Sequence, residues 1–258
     1  MEQQNTTQQF PSEEVTLPSK GLLYPEGHPL RSGIIEMKYM TAKEEDILTN
    51  SNYINNGTVI DKLLKSLIVS PIDFNDLLIG DKNAVLVASR ILGYGQEYSF
   101  MYKNPNTSED EQVTVDLTEA TDKELDESLI IEGRNEFSFT LPISKIQVTF
   151  KFLTHGDELK IANELKGLKK ISKTTSAELT TRMKHLITSV GGDRDTSTIR
   201  QFVDGNFLAR DARALRTYIA ETMPDIDLTF DLQFDDGASA EGVTIPIGTS
   251  FFWPESGL

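Results

Sequence analysis

The chain's 258 residues are 38% hydrophobic and 25% charged, a composition that supports a real core and excludes a disordered or fibrous protein. Its formal net charge of −15 argues against nucleic acid as a partner, since phosphate neutralisation needs clustered Lys and Arg. The absence of cysteine removes disulfides and thiolate metal sites. No apolar run approaches the roughly 20 residues of a membrane span, and MEQQNTTQQF has neither the basic start nor the apolar core of a secretory signal. The reading is a soluble protein that stays where it is made and has no membrane partner.

Residues 1–12, rich in Gln and Thr, read as a mobile N-terminal arm. A short strand, a loop punctuated by Pro and Gly, and a second strand over 34–40 follow. Thr41 and Glu44 form an S/T-x-x-E capping box that starts a helix at Ala42. Ile60, Leu63, Leu64, Leu67 and Ile68 recur at helical spacing, giving an amphipathic helix that ends before Pro71. Asp81 N-caps and Gly93 stops another helix, whose apolar residues surround most of its axis and place it centrally. EYSFMY and QVTVDL alternate as strands, and the acidic stretch 118–135 reads as a linker.

The order then repeats. EFSFTLP and IQVTFKFLT are strands, and Thr154 with Asp157 caps the next helix. AELTTRMKHLITSV is a helix stopped by Gly191-Gly192, and NFLARDARALRTYIAETM is a helix capped by Asn206 and ended by Pro224. DLTFDLQF and GVTIPIG close the pattern as strands.

The likeness is sharpest at one corner. KYMTAKEEDIL and KFLTHGDELKI place Lys38 with Lys151, Thr41 with Thr154 and Glu44 with Asp157 at an offset of 113. Further pairs keep the order while the offset shifts with loop length. Thr16-Leu17-Pro18 answers Thr140-Leu141-Pro142 at 124, and Leu67 answers Leu186 at 119. Gly80-Asp81 answers Gly205-Asn206 at 125, and Val113-Thr114 answers Val243-Thr244 at 130. Either an internal duplication or the shared grammar of strand–cap–helix junctions produces such a pattern. Duplication makes this an α+β protein of two similar lobes, each of β-hairpins packed with about three helices. The lobes are residues 13–117 and 136–248, joined by the linker 118–135 and followed by an aromatic C-terminal tail, 249–258.

No catalytic, cofactor or metal residues emerge, and the expectation is a non-enzyme without cofactors. His28 lies in a Gly27/Pro29 turn, while His155 and His185 align with Ala42 and Ser66 of the first repeat. Asp157 and Glu158 of HGDE are what the first turn of a helix favours because of its dipole. Phosphate loops of the G-x-x-x-x-G-K-[ST] or G-x-G-x-x-G type and a G-x-S-x-G elbow are absent.

Two segments suggest partner binding. LPSKGLLYPEGHPL combines a rigid path with apolar side chains, Leu22, Leu23 and Tyr24. TSFFWPESGL carries Phe251, Phe252 and the one tryptophan, Trp253, before Pro254. For each the alternative is structural: the loop covers its own core, and the aromatic tail tucks onto its own domain.

LPSKGLLYPEG, IEMKYMTAKEEDIL, ILGYGQEYSF and IPIGTSFFWPES, in that order, resemble the baseplate-hub assembly family of T-even-like contractile-tailed bacteriophages. The likeness runs from about residue 15 to 256 and omits the acidic linker and the arm. It implies a non-enzymatic tail morphogenesis protein that assists assembly of the baseplate central hub in a chaperone-like way. The alternative is a structural hub subunit retained in the virion. Implied partners are other hub or tape-measure proteins, met in the host cytoplasm during virion assembly or held in the baseplate. Some relatives carry a cysteine pair in the hairpin after GYG; MYKNPNTSEDEQVTV has none, so no zinc clip carries over.

Overall fold

Period-2 alternation opening each half, followed by helical spacing, yields an α+β fold in the computed structural model of the chain. The structure describes residues 11–171, 177–247 and 249–252; the predicted arm, apart from its last residues, lies outside them. The first half opens with β1 (Ser12–Thr16) antiparallel to β2 (Ile34–Lys38), then α1 (Ala42–Leu48), α2 (Ser51–Asn55) and α3 (Val59–Leu67). After α3 the chain returns to the sheet, where Ile68 bridges Met37 and the Val69 N–H donates to the Glu36 carbonyl at 2.9 Å. Then come α4 (Ile79–Tyr94) and a hairpin of β3 (Glu97–Lys103) and β4 (Asp110–Asp116).

A short strand, β5 (Thr121–Asp122), precedes the second half. There β6 (Phe137–Thr140) pairs with β7 (Gln147–Phe150), followed by α5 (His155–Ile171) and α6 (Glu178–Leu186). The chain again returns to its sheet as β8 (Ile187–Val190), antiparallel to β7. Next are α7 (Thr196–Gln201), a π-helical turn over Phe202–Asn206, and α8 (Ala209–Thr222). Last come β9 (Ile226–Asp227), which pairs with β5, and the hairpin of β10 (Thr229–Gln233) and β11 (Ser239–Thr244).

Both strand-to-helix corners use one bonding scheme. In the first, the Lys38 ammonium donates to Glu44 at 2.9 Å, Ser66 Oγ donates to it at 2.6 Å, and the Thr41 N–H donates at 3.0 Å. In the second, Lys151 donates to Asp157 at 2.6 Å and the Thr154 N–H at 3.3 Å. Burial raises the cost of ionising Glu44, but these donors outweigh it and hold its pKa down to about 2. Asp157 is lowered for the same combination of causes.

The halves share one continuous core. The corner of the second half is bonded to the start of α4, where the His155 N–H donates to the Leu77 carbonyl (2.8 Å) and the Ile79 N–H to that of Leu153 (3.0 Å). The acidic stretch 118–135 is bonded to both halves, to the second through β5–β9 and Asn135–Phe152. In the first half Lys20 pairs with Glu127, Arg31 with Glu132, and the Gly133 N–H donates to Leu22.

Three sequence expectations change. The helix assigned an Asp81 cap is capped three residues earlier, at Leu78, and the one assigned an Asn206 cap two residues later, at Leu208. Both aspartates at the third helical position, Asp81 and Asp211, are fully buried and serve a different purpose. The helix read through AELTTRMKHLITSV ends at Leu186; its β-branched remainder is extended because β7 offers it an open edge.

Replacing Glu44 by Gln should destabilise the fold by about 1–3 kcal/mol at neutral pH, because the amide offers one acceptor oxygen where the carboxylate offers two, and no charge to the Lys38 ammonium. A carboxyl whose native pKa lies below its unfolded value contributes above the unfolded value and loses that contribution as pH falls through the native one. The gap between wild type and Glu44→Gln, measured by urea unfolding, should therefore narrow below pH 4.5 and close near pH 2.

Candidate functional site

Each half has a loop after a Leu-Pro pair that must end its strand without leaving backbone N–H groups unpaired. In the first half Asp81 supplies the acceptor: the Ser19 N–H donates at 2.9 Å, Ser19 Oγ at 2.7 Å and the Tyr24 hydroxyl at 2.7 Å. In the second half Asp211 receives the Ile143 N–H at 2.7 Å and the Ser144 N–H at 3.0 Å. Burial wins at Asp81, pushing its carboxyl up despite its donors, with the Asp122 charge adding to the effect. At Asp211 burial is outweighed by the two backbone donors, and its carboxyl is held down. Asp81 and Asp211 are 130 apart, the offset that relates Val113 to Val243. The loop bonding at Asp81 is thus matched at Asp211.

These anchors decide the fate of the loop 17–30. Tyr24 is 4% exposed and Leu23 2%. The Tyr24 hydroxyl also accepts the Leu78 N–H at 3.0 Å, and burial beside Asp81 raises its pKa. Leu22 is half-buried. Leu23 and Tyr24 are therefore parts of the core and not exposed docking groups.

The tail behaves alike where it is described. Phe251 and Phe252 are fully buried, and Phe251 meets the Tyr98 ring edge-on at 4.9 Å. Both serve the chain's own packing, so the partner-anchor reading is corrected for them. Trp253 and Pro254 lie outside the described residues.

The histidines are absorbed as well. His155 sits buried with Nδ1 3.1 Å from the Lys82 ammonium and Nε2 3.4 Å from Asp61; burial and the Lys82 charge push its pKa below the usual histidine range. His28 meets Asp76 at 3.2 Å and His185 meets Glu164 at 3.0 Å.

What lies on the surface is the outer face of α8, which the sequence reading did not single out. Arg210, Arg213 and Arg216 recur every three residues, and none forms an ion pair among the described residues. Arg210 and Arg213 border a groove of about 520 Å³ floored by Phe139 and Tyr218, whose rings stand 4.8 Å apart, with Pro142 and Ile143 along its side. On the opposite flank Arg216 borders an apolar cleft of about 250 Å³, next to Arg182, which is paired with Glu158. The spacing in ARDARALR held the signal, since three cations within two turns of one helix in so acidic a chain call for counter-charge.

This surface is the kind a protein uses to meet other proteins: a charged, part-apolar groove set on a closed core. A family model described as T4 bacteriophage base plate protein matches residues 12–253. The chain belongs to that family. Among curated proteins and solved structures, none matches it.

Truncating Phe251 or Phe252 to Ala should cost about 3–5 kcal/mol, as for other buried phenylalanines. Removing residues 249–258 should likewise lower the unfolding midpoint in urea, where an exposed anchor would leave it unchanged.

Proposed function

We propose that this base plate family member is a non-enzymatic tail morphogenesis protein. It assists assembly of the baseplate central hub as a chaperone-like factor and then leaves. The observation that carries this reading is a chain that completes its own core, Phe251 and Phe252 included, while its exposed large hydrophobics are dispersed over many elements. Permanent subunits join through broad apolar interfaces, and transient partners through smaller, more polar ones. The acidic residues support a non-catalytic role, since Glu44, Asp81, Asp157 and Asp211 all bind hairpins to helices.

The matching corners, anchors and returning strands support an internal duplication. Two like halves give one molecule two related ends with which to hold two hub or tape-measure proteins in the host cytoplasm.

Quantitative mass spectrometry of purified virions beside baseplate-hub intermediates from infected cells tests the reading. The chain should be abundant in the intermediates and missing from virions. A fixed stoichiometry in both would make it a structural hub subunit instead.

A further inference from the structure

The helices α4 and α8 hold corresponding places, each receiving its hairpin loop on an aspartate at the third position. Their outer faces are treated differently. Residues 224–227 run extended across α4, so close that a Cβ on Gly80 would lie 1.8 Å from the Pro224 carbonyl oxygen. Asn83 donates to the Asp225 carboxylate at 2.9 Å, and β5 pairs alongside through Thr121 and Asp122. The face of α4 is thus covered by an extended, aspartate-bearing strand of the same chain.

On α8 the places of Gly80 and Asn83 are taken by Arg210 and Arg213, and among the described residues the groove beside them is open. A strand lying as close as 224–227 does would collide with the Arg210 side chain, but one set slightly farther out would bring its carboxylates to both guanidinium groups. Ile143, 42% exposed, together with Phe139 and Tyr218, offers an apolar floor for an aliphatic side chain of the same strand. The positive end of the helix dipole reinforces the preference for an anion at this end. Glu221 borders the far end of the groove, so the carboxylates of the occupant belong at the Arg210 end.

We propose that the groove between α8 and the 139–143 hairpin loop binds an extended acidic segment of another baseplate protein. The segment carries Asp or Glu beside an aliphatic residue and lies as 224–227 lies on α4. This deepens the assembly reading and rests on it.

The test places the photo-crosslinking residue benzoylphenylalanine at Thr217, exposed on the groove wall, in the full chain expressed in infected cells. Hub intermediates are purified and irradiated, and the joined peptides are sequenced. The expected product joins Thr217's position to an acidic, aliphatic-bearing segment of another baseplate protein. Its yield should fall roughly tenfold or more in the Arg210→Glu, Arg213→Glu variant, with unchanged thermal unfolding. Should that variant fail to fold, Arg210→Gln with Arg213→Gln takes its place, and wild-type yield should fall as salt is raised before irradiation.

Joining to a second copy, to nucleic acid or to a neutral or basic segment would overturn the proposal, as would a yield indifferent to the charge changes. If the chain copurifies with hub intermediates but gives no product at this position, the groove assignment fails and the assembly reading stands. If it is absent from those intermediates, the assembly reading fails and takes the groove with it.

Discussion

A carboxylate withdrawn from water keeps its charge only where donors replace the water it has lost. Asp211 meets that condition by taking two N–H groups of a hairpin loop that would otherwise be orphaned inside the protein, whereas Asp81 takes one loop N–H and two hydroxyls and burial still pushes its carboxyl up. Neither side is stable alone: the loop needs an acceptor and the aspartate needs donors. This mutual requirement fixes where α4 and α8 sit against their sheets, and with them every surface the helices present. The Asp81 anchor has a further dependency, because the Tyr24 hydroxyl that completes it also caps the Leu78 N–H at the start of α4.

From those two fixed helices the rest of the arrangement follows. The start of α4 is bonded to the corner of the second half through Leu77, Ile79, Leu153 and His155, so the halves cannot separate without exposing backbone donors. The segment after the last hairpin reaches back to the β3–β4 hairpin, where the Tyr98 hydroxyl donates to the Pro246 carbonyl at 3.0 Å and its ring packs on Phe251. The connection from α8 to that hairpin must cross α4, and it does so at Gly80, where a side chain would block it. One face is covered as a consequence of the chain's path, and among the described residues the matching face on α8 is left to solvent.

The elements governed by local chemistry were legible in the sequence. Thr41–Glu44 and Thr154–Asp157 announced two helix starts because capping acts over three residues, and the Leu63, Leu64 and Leu67 spacing announced α3 for the same local reason. Long-range partners were not legible. Asp81 reads as an N-cap because aspartate suits that position; only Ser19 and Tyr24, about sixty places earlier and brought close by the fold, reveal its purpose. ITSV after Leu186 fits a helical pattern until β7 is there to pair with it. The aromatic tail and the 17–30 loop looked like anchors because a sequence shows that a side chain is apolar but not which surface covers it. The arginines of α8 were visible as a pattern, but that they form no ion pair among the described residues could be seen only once the other charges had been placed.

The central claim is that the cationic face of α8, uncovered among the described residues, is where the chain meets a partner. Hydrogen–deuterium exchange, followed by mass spectrometry on the free chain and on the chain within hub intermediates, addresses it directly. The account predicts that α4 exchanges slowly in both states, while Ala209–Thr222 gains protection on joining the intermediates. Unchanged exchange over α8, with the new protection falling on the 17–30 loop instead, would contradict it.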